Sequence, residues 1–229
     1  MLKGKIIYNR GCFVIALNGI NADIIKKSYL EKYEIPPNLV EYKNKRDGEN
    51  SFHLTIISPE DTILKDVVET EINSLADNNF EIDIIGVGTN ESCYYLVCLS
   101  KELDNFRKRL NLSSKDFHVT LAFNQADRHN ISKGIDTLMP INADNDTKET
   151  IDKIINNLSN DTEKNIKILK CANNLYKDNY LIIKNLTNEL SKKACYDEAL
   201  IYANLLFELY PLDISGYYLY LMLSNKLSS

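Results

Sequence analysis

Phe52-His53-Leu54-Thr55-Ile56 and Phe117-His118-Val119-Thr120-Leu121 write one pattern twice, and between them they take two of the three histidines in the chain. Apolar and polar residues alternating with a period of two mark a half-buried strand. Residues two apart then share a face, so His53 stands beside Thr55 and His118 beside Thr120, while the phenylalanine and aliphatic residues turn to the opposite layer. An imidazole titrates near ~6.5, so of two that meet in one pocket at neutral pH, one can hold a proton while the other lacks it. Such a pair can take a proton from an attacking water or hydroxyl and give one to a departing oxygen. Neighbouring hydroxyls can donate to the non-bridging oxygens of a phosphate, where charge gathers in the transition state. The chemistry to expect is metal-independent cleavage of a phosphodiester, with His53 and His118 as acid and base in either order and Thr55 and Thr120 on the phosphate.

Other chemistries fit less well. Zinc prefers three or four closely set ligands, and the chain has no His-Glu-x-x-His, no His-x-His and no cysteine pair near either histidine, so neither metal nor cofactor is expected. No Gly-x-Ser-x-Gly turn offers a serine nucleophile. Gly86-Val87-Gly88 is only a fragment of a dinucleotide fingerprint. The formal net charge is −5, with both halves mildly acidic. A chain without a basic arm is poorly suited to coat duplex phosphate, which leaves a small phosphodiester or an RNA end as the partner. Five cysteines without a Cys-x-x-Cys pair read as reduced thiols, and with no leading signal segment the expectation is an intracellular, cytoplasmic protein. No apolar run approaches the ~20 residues of a membrane helix, so no membrane partner is expected.

These residues need elements to position them. The apolar run 11–17 reads as a central strand, followed by a helix capped by Asn21 or Asp23 that runs to about residue 33 and is ended by Pro36-Pro37. Residues 41–50 are charged and read as a solvated loop that delivers Lys45 or Arg46 to the cleft. A helix follows from Pro59 to about residue 76, then a hairpin of 80–87 and 92–99 around Gly88-Thr89-Asn90, a basic helix at 101–110, and the second histidine strand. Each half thus places a helix before its own His-x-Thr strand. That echo predicts two lobes related by approximate two-fold symmetry, with the marked strands side by side or facing across a cleft.

The two motifs resemble those of the two-histidine (2H) phosphoesterase superfamily, and the run 117–134, F-H-V-T-L-A-F-N-Q-A-D-R-H-N-I-S-K-G, is similar to its Swiss Army Knife, RNA-repair-like branch. The resemblance implies a cyclic phosphodiesterase or RNA-end-processing activity, with His53, Thr55, His118 and Thr120 as the working set and with His129 and Lys133 beside the pocket. Arg128 is a further candidate for positive charge over the phosphate.

Beyond a polar boundary at 142–147 the pattern is helical throughout. Tyr196-Asp197-Glu198-Ala199-Leu200 and the residues after it, through Asp213, resemble the second helix of a tetratricopeptide repeat, with Ala199 where helices touch and Pro211 closing the unit. The expected fold class is α+β: a bilobal, pseudo-symmetric 2H-phosphoesterase-like sheet domain at 1–141, then an all-α tetratricopeptide-like domain at 146–229. A lone repeat cannot bury its own faces, so the helices at 146–229 are either a buttress or the surface for a protein partner. The alternative to an enzyme is a catalytically silent module that holds a phosphate ligand, or an adaptor acting through the helical tail.

Overall fold

The computed structural model describes residues 1–90, 93–127, 131–139 and 144–227. They fall into two units, Met1–Met139 and Pro140–Ser229.

In the first unit, seven strands form one antiparallel sheet among the described residues: β1 (Leu2–Gly4), β2 (Ile6–Asn9), β3 (Cys12–Ala16), β4 (His53–Ile57), β5 (Phe80–Asn90), β6 (Cys93–Leu99) and β7 (Phe117–Phe123). Their order across the sheet is β1-β5-β6-β7-β4-β3-β2. The triplets β2-β3-β4 and β5-β6-β7 are each a hairpin followed by a returning strand, and the two returning strands pair at the centre. This is the two-fold echo expected from the repeated motif, in its side-by-side form.

One face of the sheet is apolar because the alternation puts it there. Leu54, Ile56, Leu96, Phe117, Val119 and Leu121 belong to a single buried cluster, completed by Ala22 and Ile25 of α1 (Ile20–Ile25), Val68 of α3 (Lys65–Asn73), and Leu103 and Phe106 of α4 (Lys101–Arg109). The expected first helix begins as α1 and continues as a π-helical stretch, Lys26–Glu31.

Several expectations change. Strands β1 and β2 have no counterpart in the sequence reading, since they are short and β2 buries only Ile6. The charged stretch at 41–50 is largely helix: α2 spans Pro37–Asp47, with Pro37 supplying the preset φ of a first turn and Gly48 ending it at φ 95°. Its inner face is Leu39, Val40 and the buried stem of Lys43. The helix expected from Pro59 is broken, because Thr62 takes a left-handed φ of 48° after the 3-10 turn Pro59–Asp61, leaving α3 to start at Lys65. Strand β5 runs on through Gly88 to Asn90, where a turn was expected.

The second unit holds α5 (Asp144–Asn156), α6 (Thr162–Leu175), α7 (Tyr180–Lys192), α8 (Tyr196–Leu209) and α9 (Ile214–Leu227). Helix α7 packs against α5, α6 and α8, and α9 packs against α8. Asp161 and Asn179 accept backbone N–H groups in the first turns of α6 and α7, which satisfies donors a helix start leaves unpaired. Ile154, Leu169, Ile182, Leu186, Ala199, Ala203 and Leu206 are buried along the facing stripes. At Gly216 the α8 and α9 backbones come close: a Cβ there would lie 3.3 Å from Leu206 Cγ. No helix among the described residues is long and apolar enough to cross a membrane.

Candidate active site

Strands β4 and β7 pair antiparallel with Leu54 opposite Val119. Counting one residue outward in each direction puts Thr55 across from His118 and His53 across from Thr120, all four on the face away from Leu54 and Val119. Each histidine therefore faces the other motif's threonine. The two histidines become diagonal neighbours, roughly 7 Å apart at the backbone. On the flanks, Val14 and Ala16 of β3 lie opposite Thr55 and His53, and Tyr95 and Val97 of β6 lie opposite Thr120 and His118.

The chain after β7 returns to this face. Leu138 bridges to Gly88, and Met139 donates its N–H to the Val87 carbonyl at 2.9 Å. Gly88 permits the return: a Cβ there would sit 2.6 Å from the Tyr95 ring and 2.9 Å from Thr137 Oγ1. The returning segment carries Lys133, which is 3% exposed. Its Nζ donates to Asp127 Oδ1 at 2.7 Å and lies 3.4 Å from His118 Nε2. Asp127 accepts from Thr120 Oγ1 at 3.1 Å through its other oxygen, and that oxygen lies 3.7 Å from Arg46 of α2. The Arg46 guanidinium donates twice to Asp47 and covers the Phe123 ring at 4.4 Å. Three cationic or hydroxylic donors, from three parts of the chain, thus converge on one carboxylate beside the histidines.

Of the expected residues, the structure brings His53, Thr55, His118, Thr120 and Lys133 to one face. Of the pair offered by the charged stretch, Arg46 reaches the site, whereas Lys45 points outward and pairs with Glu41 at 2.9 Å along the helix surface. Arg128 and His129 lie outside the described residues. Sequence reading missed Asp127 and Tyr95. Nothing in a polar run such as Asn124-Gln125-Ala126-Asp127 singles out its aspartate until Lys133 and Thr120 are folded against it.

The electrostatics of the histidines follow from burial. Burial holds His118 well below its ordinary value, at about 4, and the Lys133 ammonium pushes the same way against the Asp116 carbonyl and the Asp127 carboxylate. His53 is also lowered, first by burial, with Asp47 opposing and with Arg46 and Lys43 adding to the effect. Both rings are therefore neutral near pH 7 in the free chain. Between about pH 4 and 6.5 the unfolded chain binds a proton at His118 that the folded chain refuses, so the stability is full above 6.5 and drains as pH falls toward 4. About 3 kcal/mol is at stake. Urea denaturation from pH 7 to 4 should show this fall, flattened in His118→Gln; equal slopes in the two proteins would remove the assignment.

Among the described residues no group of three or more His, Cys, Asp or Glu side chains converges as a metal site would require. A family model described as Swiss Army Knife, 2H phosphoesterase domain, matches residues 13–129. The chain belongs to the 2H phosphoesterases. That match spans both His-x-Thr strands of this 2H phosphoesterase and every element between them, α2 and its Arg46 included, and it ends before Lys133. No curated protein and no solved structure gives a significant match.

Proposed function

We propose that this 2H phosphoesterase domain is a metal-independent phosphodiesterase acting on cyclic phosphodiesters, either 2′,3′-cyclic phosphates at RNA ends or small cyclic nucleotides. His53 and His118 exchange the protons, and Thr55 and Thr120 bind the phosphate. The reading rests on one observation above all, the crossed register in which each histidine faces the other strand's threonine. A separation of roughly 7 Å lets two imidazoles flank one phosphorus from the sides of the entering and leaving oxygens. Thr120, Lys133 and Arg46 share Asp127 in the free chain. An arriving phosphate competes with that carboxylate for the same donors, gaining charge-assisted hydrogen bonds without new side chains having to be ordered.

The test is a panel of 2′,3′- and 3′,5′-cyclic nucleotides and cyclic-phosphate-ended oligonucleotides, incubated with the full chain and analysed for opened products, with and without a chelator. Turnover unaffected by the chelator is expected. A rate lost to the chelator and restored by zinc or manganese would overturn metal independence, and binding without product would make the domain a silent phosphate-binding module. We read α7 and α8 as one tetratricopeptide-like hairpin, supported by the full burial of Ala199 and by the packing of the two helices, with α9 as the opening helix of another.

A further inference from the structure

His118 and His53 are held differently, and the difference divides their labour. His118 Nδ1 lies 3.1 Å from the Asp116 carbonyl oxygen. A carbonyl only accepts, so Nδ1 carries the hydrogen and Nε2 is left with its lone pair. That lone pair faces the Lys133 ammonium at 3.4 Å, a group that only donates. An imidazolium at 118 would instead turn an N–H toward an ammonium. Lys133 is itself fixed, almost fully buried and paired to Asp127, whose side chain is 4% exposed. His53 makes no hydrogen bond among the described residues and faces a mixed field of Asp47, Arg46 and Lys43 from α2, together with Asp127.

We propose that Lys133 and Asp127 are positioning residues that hold His118 neutral with a bare Nε2, making it the proton acceptor of the pair and leaving His53 as the donor. This rests on the phosphodiesterase reading above. The phosphate anion that enters the pocket favours the imidazolium form of His53 over the neutral ring of the free chain; the water oxygen bonds to phosphorus and its proton passes to His118 Nε2, the bond from phosphorus to the leaving oxygen breaks, and that oxygen takes a proton from the His53 imidazolium. One water is consumed, and solvent then removes a proton from His118 and returns one to His53. The substrate anion draws a Lys133 N–H from Nε2 to a phosphate oxygen, which frees the lone pair for the water. The charged groups facing His118 are Lys133, Asp127 and Lys115, with the Tyr95 ring edge-on at 6.0 Å from β6.

The test is nitrogen NMR of the full chain labelled with 15N-histidine, its resonances assigned by substituting each histidine in turn. At neutral pH His118 should appear as the Nδ1–H tautomer with Nε2 unprotonated. Lys133→Met should raise its titration midpoint by roughly one unit, and Asp127→Asn should lower it. Lys133→Arg, which keeps the charge, should leave the midpoint near the native one. An Nε2–H tautomer in the native chain, or a midpoint that Lys133→Met does not move, would overturn the assignment. The native tautomer needs no variant, so a substitution that unfolds the chain does not remove the test. The readout is independent of turnover, so a chain that hydrolyses no cyclic phosphate would sink the functional reading while the NMR still decides this one.

Discussion

His53→Ala and His118→Ala are each expected to lower kcat/KM for a cyclic phosphodiester by about 10²–10⁴, the range that positioned acid–base groups supply. That corresponds to about 3–5 kcal/mol of transition-state stabilisation. The two variants should separate in stability. His53 is partly exposed and makes no hydrogen bond among the described residues, so its truncation should leave Tm nearly unchanged. His118 accepts from Lys133 and donates to the Asp116 carbonyl beneath the Tyr95 ring. Removing it strands those groups, at a cost of about 1–3 kcal/mol. Single-turnover rates on protein shown to be folded by near-UV circular dichroism, together with urea melts, check both halves. Native turnover in either variant would remove the acid–base pair, and equal Tm losses would remove the distinction drawn between their surroundings.

What was legible in the sequence was whatever a local pattern dictates. His53-x-Thr55 and His118-x-Thr120 alternate cleanly, and a strand's side-chain period is its own signature; the repetition of the motif then implied adjacency, which the β4–β7 pairing fulfils. The tail's apolar stripes recur at helical spacing, so its helices were legible as well. Elements that depend on distant partners were not. Helix α2 lays Lys43 along the core, its ammonium donating to the Ser51 carbonyl and sitting over the Phe52 ring at 4.0 Å. A stripe that spends a lysine stem as apolar surface looks charged when read residue by residue. Thr62 interrupts a plausible helix with a left-handed φ, and the Asp61 before it is bonded to Arg107, 46 positions along the chain. Asp127 gains its meaning only from Lys133, placed by the return of the chain to Gly88, and from Thr120, placed by the pairing of β7 in the sheet. Local periodicity therefore reveals which strands carry the histidines, while the charges that tune them belong to tertiary structure.

Arg107→Met should destabilise the domain by about 3–5 kcal/mol, the cost of breaking a buried ion pair from one side, out of a total that for proteins of this kind is about 5–15 kcal/mol. Arg107 is 2% exposed. Its Nε and one terminal nitrogen donate to the Ser113 carbonyl at 2.9 and 2.7 Å, the other terminal nitrogen donates to the Ile56 carbonyl, and the fork grips Asp61 at 2.7 and 3.2 Å. All five guanidinium hydrogens are used. Those acceptors place one partner on β4 immediately after Thr55, one in the turn beyond it, and one in the segment that leads into β7, so a single side chain ties both histidine strands to α4. Asp61 feels the same grip: burial alone would raise its carboxyl, yet the Arg107 hydrogen bonds hold it below the usual carboxylate range. A methionine would fill much of the volume but leave two carbonyls without this donor and the Asp61 carboxylate with only Ser58 and, at 3.8 Å, Lys115. Lysine, with three donors and no fork, should recover only part of the loss. The double variant Arg107→Met/Asp61→Leu should be more stable than Arg107→Met alone, because it removes the stranded charge as well. Urea denaturation of the three variants measures this; a cost below about 1 kcal/mol for Arg107→Met, or a double variant less stable than the single, would show that the clamp does not hold the two strands together.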